Sequence, residues 1–552
     1  MIQTVQGHLL GNRHLQLIAL LIVAIATIAA AFSYPGSIPS LLINGLLAAL
    51  LVRSVLNNRS SFFSFFLLAF LILGCWAKLV LHFILDTQFI EPIGLFDHSP
   101  QGWDSAMLAL NTAFATLLVC QTIASRQRPI AATSPSSYRP LLRPVMWLAI
   151  VLTALLLAFN FKFAILKVGT EPLLKLHSYI YVLVSFMIAW GNLILLATLG
   201  YWLVQARKMK LETLFYILIL EGAVTAVSMG SRAQMILHVA APFVVYLTHS
   251  RELVTSLRMA QWVRILLVTA ALFVASLLMV SADRLHSFAQ AKPVAAPLPV
   301  TSTLIVSNTL IDSAPEQPSS QQAAAVAVLA LENMMLAPAE SSLAAAALMP
   351  PAVPMLHFTA LTPAAPPDVA PLVETAEIKR ARWKGMLMEL SKLVVDRWVG
   401  IEGVLAVVSY PDTGWPLFVR SLGERPESGT QAIYQRMSDA QYQTYENFTF
   451  MTIPGPLAIL LYSNNLAVLT AGLALLFVAG LLAEQLARQM IGNIFTQAAI
   501  GVALAYLVVQ TNFPRVQFFF LIELLGFIGG LYVARLILTG STSRLASPAP
   551  AF

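Results

Sequence analysis

Basic and acidic residues lie close together in the stretch KLVLHFILDTQFIEPIGLFDHSPQGWD. Lys78 and His82 are four residues apart, so they share one face of a predicted helix, and Glu91, Asp97 and Asp104 follow in the chain. A cation pair beside carboxylates can hold a phosphorylated lipid while one carboxylate accepts a proton from a hydroxyl group. The alternative is that Lys78 extends to the membrane surface and the acids only decorate a loop.

A tight turn is predicted at Ser228–Arg232, between two short apolar runs. Arg232 is the only lysine or arginine between Lys210 and Arg251. An arginine here can make a forked contact with two phosphate oxygens, which a lysine cannot match. A headgroup anchor at a helix end is the alternative. Arg515, in the loop before the last apolar run, has the same two interpretations.

A third charged group lies in the segment DRWVGIEG, late in the chain. Arg397 and Glu402 are five residues apart, so a regular helix does not direct both to one ligand unless Gly400 bends it. Lipid binding and simple pairing of charges on an amphipathic helix are both compatible with this pattern. Glu221 and Glu523 fall within apolar runs, where a carboxylate must find a partner or bind a proton.

Several signatures of catalysis are missing from the sequence. It contains no GxxxxGK[ST] phosphate loop, no HExxH zinc helix, no GxSxG nucleophile turn and no Asp-x-Asp pair for a divalent metal. The two cysteines, Cys75 and Cys120, lie in apolar runs and predict neither a disulfide nor a metal site. We therefore expect no metal and no cofactor.

The composition is that of a membrane protein. Apolar residues make up 58% of the chain, charged residues make up 11%, and the mean hydropathy is +0.77; soluble domains carry about 25% charged residues. Apolar runs long enough to cross a bilayer as a helix recur along the chain. The sequence thus predicts an all-α polytopic membrane protein with about 12 transmembrane helices. The net charge of +7 is spread over many loops and does not indicate nucleic acid.

Lysines and arginines concentrate in alternate short loops, which predicts the orientation of the chain. The loops contain Arg53, Arg126–Arg143, Arg207–Lys210 and Arg251–Arg264. The positive-inside rule assigns such loops to the cytoplasm. Both termini are then cytoplasmic, and one large extracytoplasmic loop runs from Arg284 to Asn465.

The sequence divides into four segments. Residues 1–283 hold the first nine predicted spans of a membrane bundle, and residues 466–552 hold the last three and a cytoplasmic tail. Residues 284–375 are rich in alanine and proline and predict a flexible segment. Residues 376–465 begin with apolar residues at helical spacing, from Trp383 to Ile401, and predict a small helical cap.

The layout and four segments resemble the bacterial polymerases of oligosaccharide repeat units, of the O-antigen and exopolysaccharide type. The segments are KLVLHFILDTQFIEPIGLFD, VSMGSRAQ, DRWVGIEGVLAVVSYP and FMTIPGPLAILLYS. They are scattered along most of the chain outside the alanine- and proline-rich stretch, which departs from the family's pattern. The resemblance also includes the number of spans, the large late loop and the arginines on extracytoplasmic loops.

The resemblance implies a metal-independent membrane glycosyltransferase of surface polysaccharide biosynthesis. It would transfer a growing glycan from polyprenyl pyrophosphate to a hydroxyl group of a second lipid-linked repeat unit. Arg232 and Arg397 would bind the pyrophosphate, and Glu91 or Asp97 would act as the base. The further substrate contacts would be Lys78, His82, Glu402 and Arg515.

The resemblance further implies a multi-pass protein of the bacterial inner membrane that acts at the periplasmic face. Its partners would be a polyprenyl-pyrophosphate-linked oligosaccharide, membrane lipid, a flippase and a chain-length regulator. Two alternatives remain: an O-antigen ligase-like glycan transferase and a non-enzymatic flippase for lipid-linked oligosaccharides. A flippase needs no base and favours charges in the bundle centre, and the large loop from Arg284 to Asn465 is unusual for one.

Overall fold

Regular structure is helical throughout the described part of the chain, where the only β-type pairing is one isolated bridge. The computed structural model describes residues 13–57, 61–89, 91–126, 138–170, 172–250, 253–254, 257–290, 398–440 and 451–539. The helices before the long loop are α1 (Arg13–Ala31), α2 (Ile38–Asn57), α3 (Phe62–Leu85), α4 (Pro100–Arg126), α5 (Leu142–Phe163), α6 (Tyr179–Gln205), α7 (Leu211–Met229), α8 (Arg232–His249) and α9 (Met259–Gln290). The helices after it are α10 (Ile401–Val408), α11 (Trp415–Leu422), α12 (Ile433–Met437), α13 (Gly455–Leu461), α14 (Leu466–Ile491), α15 (Ile494–Val509) and α16 (Pro514–Leu538).

Within the described chain, ten helices are long and apolar enough to cross a membrane. They are α1 to α7, α9, α14 and α16, and they confirm the all-α polytopic class. The other two predicted spans coincide with α8, which contains Pro242, and with α15. Helix α15 has 16 residues and is therefore about 24 Å long at 1.5 Å per residue. The total of twelve spans, the choice of membrane and the orientation stay predictions.

Two of the long helices contain a π-helical turn, at Ile72–Ala77 in α3 and at Met187–Gly191 in α6. A π turn inserts an extra residue and leaves a backbone carbonyl without its usual partner in the helix, and such turns are frequent at functional sites. Both turns contain a glycine and a tryptophan. Each lies next to one of the buried charge pairs described below.

We call the described residues 398–440 and 451–461 the late segment, and its short helices α10 and α13 are built into the bundle. Every residue of α13 is buried, as are all residues of α10 except Val408. A glycine makes their close contact possible, because a Cβ on Gly403 would lie 2.1 Å from the carbonyl oxygen of Pro454. The backbone N–H of Gly455 donates to the carbonyl of Thr511, at the end of α15.

We call the end of the bundle where α3, α7, α9 and α15 finish the cap face. The loop between α3 and α4 lies there and meets the late segment, because Gly94 N–H donates to the carbonyl of Ser438. The side chain of Gln435, in α12, accepts from Thr452 N–H at 3.1 Å and donates to its carbonyl at 2.9 Å. These bonds hold α12 and the entry to α13 together above the bundle.

Candidate functional site

Two residues singled out in separate motifs form one buried ion pair. Lys78 Nζ lies 2.6 Å from Glu402 Oε1, and both side chains are 4% exposed. Lys78 directly follows the π-helical turn of α3, and Glu402 lies in the first turn of α10. A buried charge is costly unless it is paired, so each residue fixes the position of the other.

A glycine contact places these two charges next to each other. A Cβ on Gly74 would lie 2.2 Å from the carbonyl oxygen of Val399, and one on Gly400 would lie 2.3 Å from the backbone of Gly74. Only residues without a side chain allow backbones to approach so closely. Gly400 is extended rather than helical, so α10 begins after it, at Ile401. The sequence left open a helix bent at Gly400, but Gly400 lies outside α10 instead.

The two candidate bases differ in their surroundings. Glu91 is half-buried. Burial raises the pKa of Glu402, and the negative charge of Glu91 raises it further. Asp97 is exposed, and its carboxylate accepts from the backbone N–H of Ser99 at 2.9 Å, shortly before α4 begins. This hydrogen bond and one from the Ser99 side chain hold the pKa of Asp97 below its usual value. Asp97 is therefore a weaker base than an ordinary aspartate, and its hydrogen bonds to Ser99 order the chain just before α4.

His82 packs into an aromatic cluster on the same side of α3 as Lys78. Its ring stacks on Phe89, with the ring centroids 4.2 Å apart, and lies 5.9 Å from Trp103. Its Nδ1 is hydrogen-bonded to the carbonyl of Thr87. These contacts fold the loop back onto the end of α3, so His82 orders the loop that contains Glu91.

Arg232 lies in a second group of charges, at the turn between α7 and α8. Gly230 has a φ of +61° there, a backbone conformation that glycine adopts without strain. Arg232 donates to Ser281 of α9 at 3.0 Å, and Arg284 donates to the Gly230 carbonyl at 2.8 Å.

Lys167 completes this group, because its side chain passes 3.5 Å from the position that a Gly230 Cβ would occupy. It forms an ion pair with Asp283 at 2.7 Å. We call Lys167, Arg232, Asp283 and Arg284 the cationic turn cluster. It contains three cations and one carboxylate at the cap face, and all four residues are half-buried.

The two groups of charges lie on different helices of the same face. Helix α15 contacts both α3, which carries Lys78, and α8, which carries Arg232. Arg397 lies outside the described residues, so its predicted contact with pyrophosphate stays a prediction. Arg515 is exposed at the start of α16 and lies 5.7 Å from the ring of Phe519. An exposed arginine packed over an aromatic ring fits the anchoring interpretation of Arg515.

A second buried pair of titratable residues lies within the membrane bundle. Glu221 of α7 is 2.8 Å from His238 of α8 and accepts from the Thr225 hydroxyl at 3.0 Å. Gln234 and His238 both lie within hydrogen-bond distance of the carbonyl of Ala189, in the π-helical turn of α6. Glu221 has therefore found the partner that its place in an apolar run required.

Sequence reasoning missed Lys167, Asp283 and Arg284 as site residues. The available signal was position, since all three lie where an apolar run ends on the predicted extracytoplasmic side. Among the described residues, no group of three or more His, Cys, Asp or Glu side chains is arranged to hold a metal ion.

Comparisons of this chain with protein-family models, with curated proteins and with solved structures found no match.

Proposed function

We propose that this protein polymerises polyprenyl-pyrophosphate-linked oligosaccharide repeat units. The observation that carries the proposal is the buried pair of Lys78 and Glu402, which joins two segments of the family resemblance across 324 residues of sequence. A third segment, with Gly455 at its centre, packs against the same short helix. Segments that are scattered in the sequence therefore meet at one face of the bundle.

The cationic turn cluster supplies the positive charge that the reaction needs. In the proposed step, the hydroxyl oxygen of the acceptor sugar forms a bond with the anomeric carbon of the donor. The bond from that carbon to the pyrophosphate oxygen breaks, and polyprenyl pyrophosphate leaves with its electron pair. Arg232 and Arg284 stabilise the departing charge, since preorganised donors act most strongly where charge develops. Lys167 also stabilises the departing charge, through an N–H donor that its ion pair with Asp283 does not use.

The acceptor hydroxyl gives its proton to a carboxylate, and Glu91 is the proposed base. The negative charge of Glu402, which lies close to Glu91, is compensated by Lys78. Glu402 therefore adds little repulsion toward the pyrophosphate. Lys78 and Glu402 are too buried to contact a substrate in this state. They act as positioning residues that hold α10 against α3.

Deletion of the gene tests the proposed function. Lipid-linked single repeat units should accumulate at the outer surface of the inner membrane, and polymer should disappear. Accumulation of single units on the cytoplasmic side would instead support the flippase alternative. Accumulation of finished polymer on its lipid carrier would support the ligase alternative.

Complementation of the deletion strain tests the cationic turn cluster. Arg232→Gln and Arg284→Gln should each lower polymer formation by about 100-fold or more, the usual effect of losing one charge-stabilising donor. The matched control is Lys162→Gln. Lys162 is exposed in the last turn of α5, and the contact described for its side chain is with the ring of Phe163. Equal polymer yields in all three strains at normal protein levels would exclude the cluster from the site.

One observation favours the flippase as a second candidate. The pair of Glu221 and His238 lies in the bundle centre, where a transporter needs charges. However, the two side chains are only 2% and 0% exposed, and hydrogen bonds within the bundle engage both of them. The pair thus lines no open path in this state, and we rank the flippase second.

A further inference from the structure

The late segment contains a cleft that the proposed reaction does not use. It is a shallow cleft between α11 and α12 that is widely open to solvent, with a volume of about 730 Å³. Binding sites for small molecules typically measure about 300–1,000 Å³. The charged side chains that line the cleft are Arg420, Glu424, Arg425, Glu427 and Arg436.

The lining combines hydrogen-bond donors with acceptors. Three arginines provide donors only, and two glutamates provide acceptors only. Ser428 and Gln431 add groups that both donate and accept. Val419 supplies apolar surface at the edge of the cleft.

This combination matches the chemistry of a sugar. Each sugar hydroxyl donates one hydrogen bond and accepts others, so it satisfies a carboxylate and a guanidinium at the same time. The C–H faces of the ring pack on apolar side chains. A phosphate group offers mainly acceptors, so it would pair with the arginines but leave the two glutamates without donors.

One wall of the cleft is fixed in place. Glu424 accepts from the backbone N–H of Ile433 at 2.7 Å. The positive charges of Arg436 and Arg420 stabilise its carboxylate. The carboxylate therefore joins the end of α11 to the start of α12. A site whose polar groups are held before the ligand arrives loses less conformational freedom on binding.

Helix α11 places the cleft at the membrane surface. Trp415, Val419 and Leu422 lie on one face of this helix and are 60%, 50% and 44% exposed. A short helix with an exposed apolar stripe, a tryptophan and nearby arginines is typical of the bilayer interface. It also packs beside α16, a membrane-spanning candidate. The cleft thus opens at the depth where the sugar of a lipid-linked substrate would leave the membrane surface.

We infer that the cleft between α11 and α12 is a saccharide-binding site, and that it holds the sugar part of the lipid-linked acceptor away from the reacting bond. The assignment of the acceptor rests on the proposed function, whereas the binding of sugar does not. The two can therefore fail separately.

Binding to the purified full-length protein in lipid nanodiscs tests the inference. The probes are oligosaccharides released by mild acid from the surface polysaccharide of the source cells and, separately, inorganic pyrophosphate. The oligosaccharides should bind saturably, and the triple variant Arg420→Gln, Glu424→Gln, Arg436→Gln should bind them at least tenfold more weakly. The matched control, Lys162→Gln, should bind like the natural protein.

Three results would overturn the inference: no saturable binding of any released oligosaccharide, equal binding by the triple variant, or displacement of the sugar by pyrophosphate. If the triple variant does not fold, Arg425→Gln at the exposed rim replaces it, with an expected loss of threefold or more. Failure of the deletion strain to accumulate repeat units would end the polymerase proposal. It would leave a positive sugar-binding result intact.

Discussion

The amino group of Lys78 lies 2.6 Å from the carboxylate of Glu402, and neither side chain is more than 4% exposed. The pair connects a membrane-spanning helix to a short helix that begins more than 300 residues later. Because both charges are out of contact with water, each is tolerated only in the presence of the other. The position of α10 in the bundle therefore depends on this contact.

Removal of one partner should destabilise the protein much more than removal of both. Lys78→Met or Glu402→Met alone leaves an uncompensated buried charge, which costs about 3–5 kcal/mol. The double variant leaves none and should recover most of that loss, because apolar replacement of a buried pair is often nearly neutral. Thermal unfolding in detergent measures the effect. Losses that simply add in the double variant would show that the two residues are not energetically coupled.

The contact between Gly74 and Gly400 should not tolerate even a methyl group. Gly74→Ala puts its Cβ 2.2 Å from a carbonyl oxygen, so α10 has to move away from α3. We expect loss of polymer formation and a lower unfolding temperature, since overpacking typically costs about 1–3 kcal/mol. Gly529→Ala is the matched control, because a Cβ there has no neighbour within 4 Å. An unfolding temperature equal to the control's would show that the close contact does not exist in the membrane.

Glu484 of α14 caps the start of α3 at the end of the bundle opposite the cap face. Its carboxylate accepts from Phe62 N–H at 2.8 Å, from Phe63 N–H at 3.0 Å and from the Ser61 hydroxyl at 2.5 Å. The first N–H groups of a helix have no partner within it, and the carboxylate supplies one.

Glu484→Ala should therefore destabilise the protein by about 1–3 kcal/mol for each buried N–H that loses its acceptor. Glu484→Gln keeps one carbonyl oxygen and should lose less. Thermal unfolding of both variants can be compared with that of Asp412→Ala, which removes an exposed acid from the late segment. An alanine variant as stable as this control would rule out the capping role.

Local properties of this fold could be predicted from the sequence, and long-range contacts could not. A long apolar run indicates a membrane-spanning helix, and each predicted span coincides with a helix in the structure. Lys78 and Glu402 were both selected as charges that must be used or paired. Their partnership was invisible, because nothing in either motif indicates the other across 324 residues.

The start of α10 shows the same limit. The spacing of apolar residues from Trp383 to Ile401 predicts a helix that includes Gly400, but Gly400 is extended and α10 begins at Ile401. The part of the predicted helix before residue 398 lies outside the described residues. The cause is the contact of Gly400 with Gly74, which belongs to another helix. Lys167 and Asp283 were overlooked for a related reason, since each looks like an ordinary loop charge until the fold pairs them.

The choice between the two candidate bases gives the sharpest test of the proposed reaction. A base must have a pKa that allows it to take a proton near neutral pH, and a pKa below the usual aspartate value makes Asp97 a poor acceptor. Glu91→Gln should therefore lower polymer formation by about 100-fold or more, the usual contribution of a general base. Asp97→Asn should lower it by less than tenfold, because an asparagine still accepts from Ser99 N–H. Repeat-unit incorporation in membranes of the two strains, at equal protein levels, makes the comparison. The reverse order of effects would move the base to Asp97 and remove the link between Glu91 and the pair formed by Lys78 and Glu402.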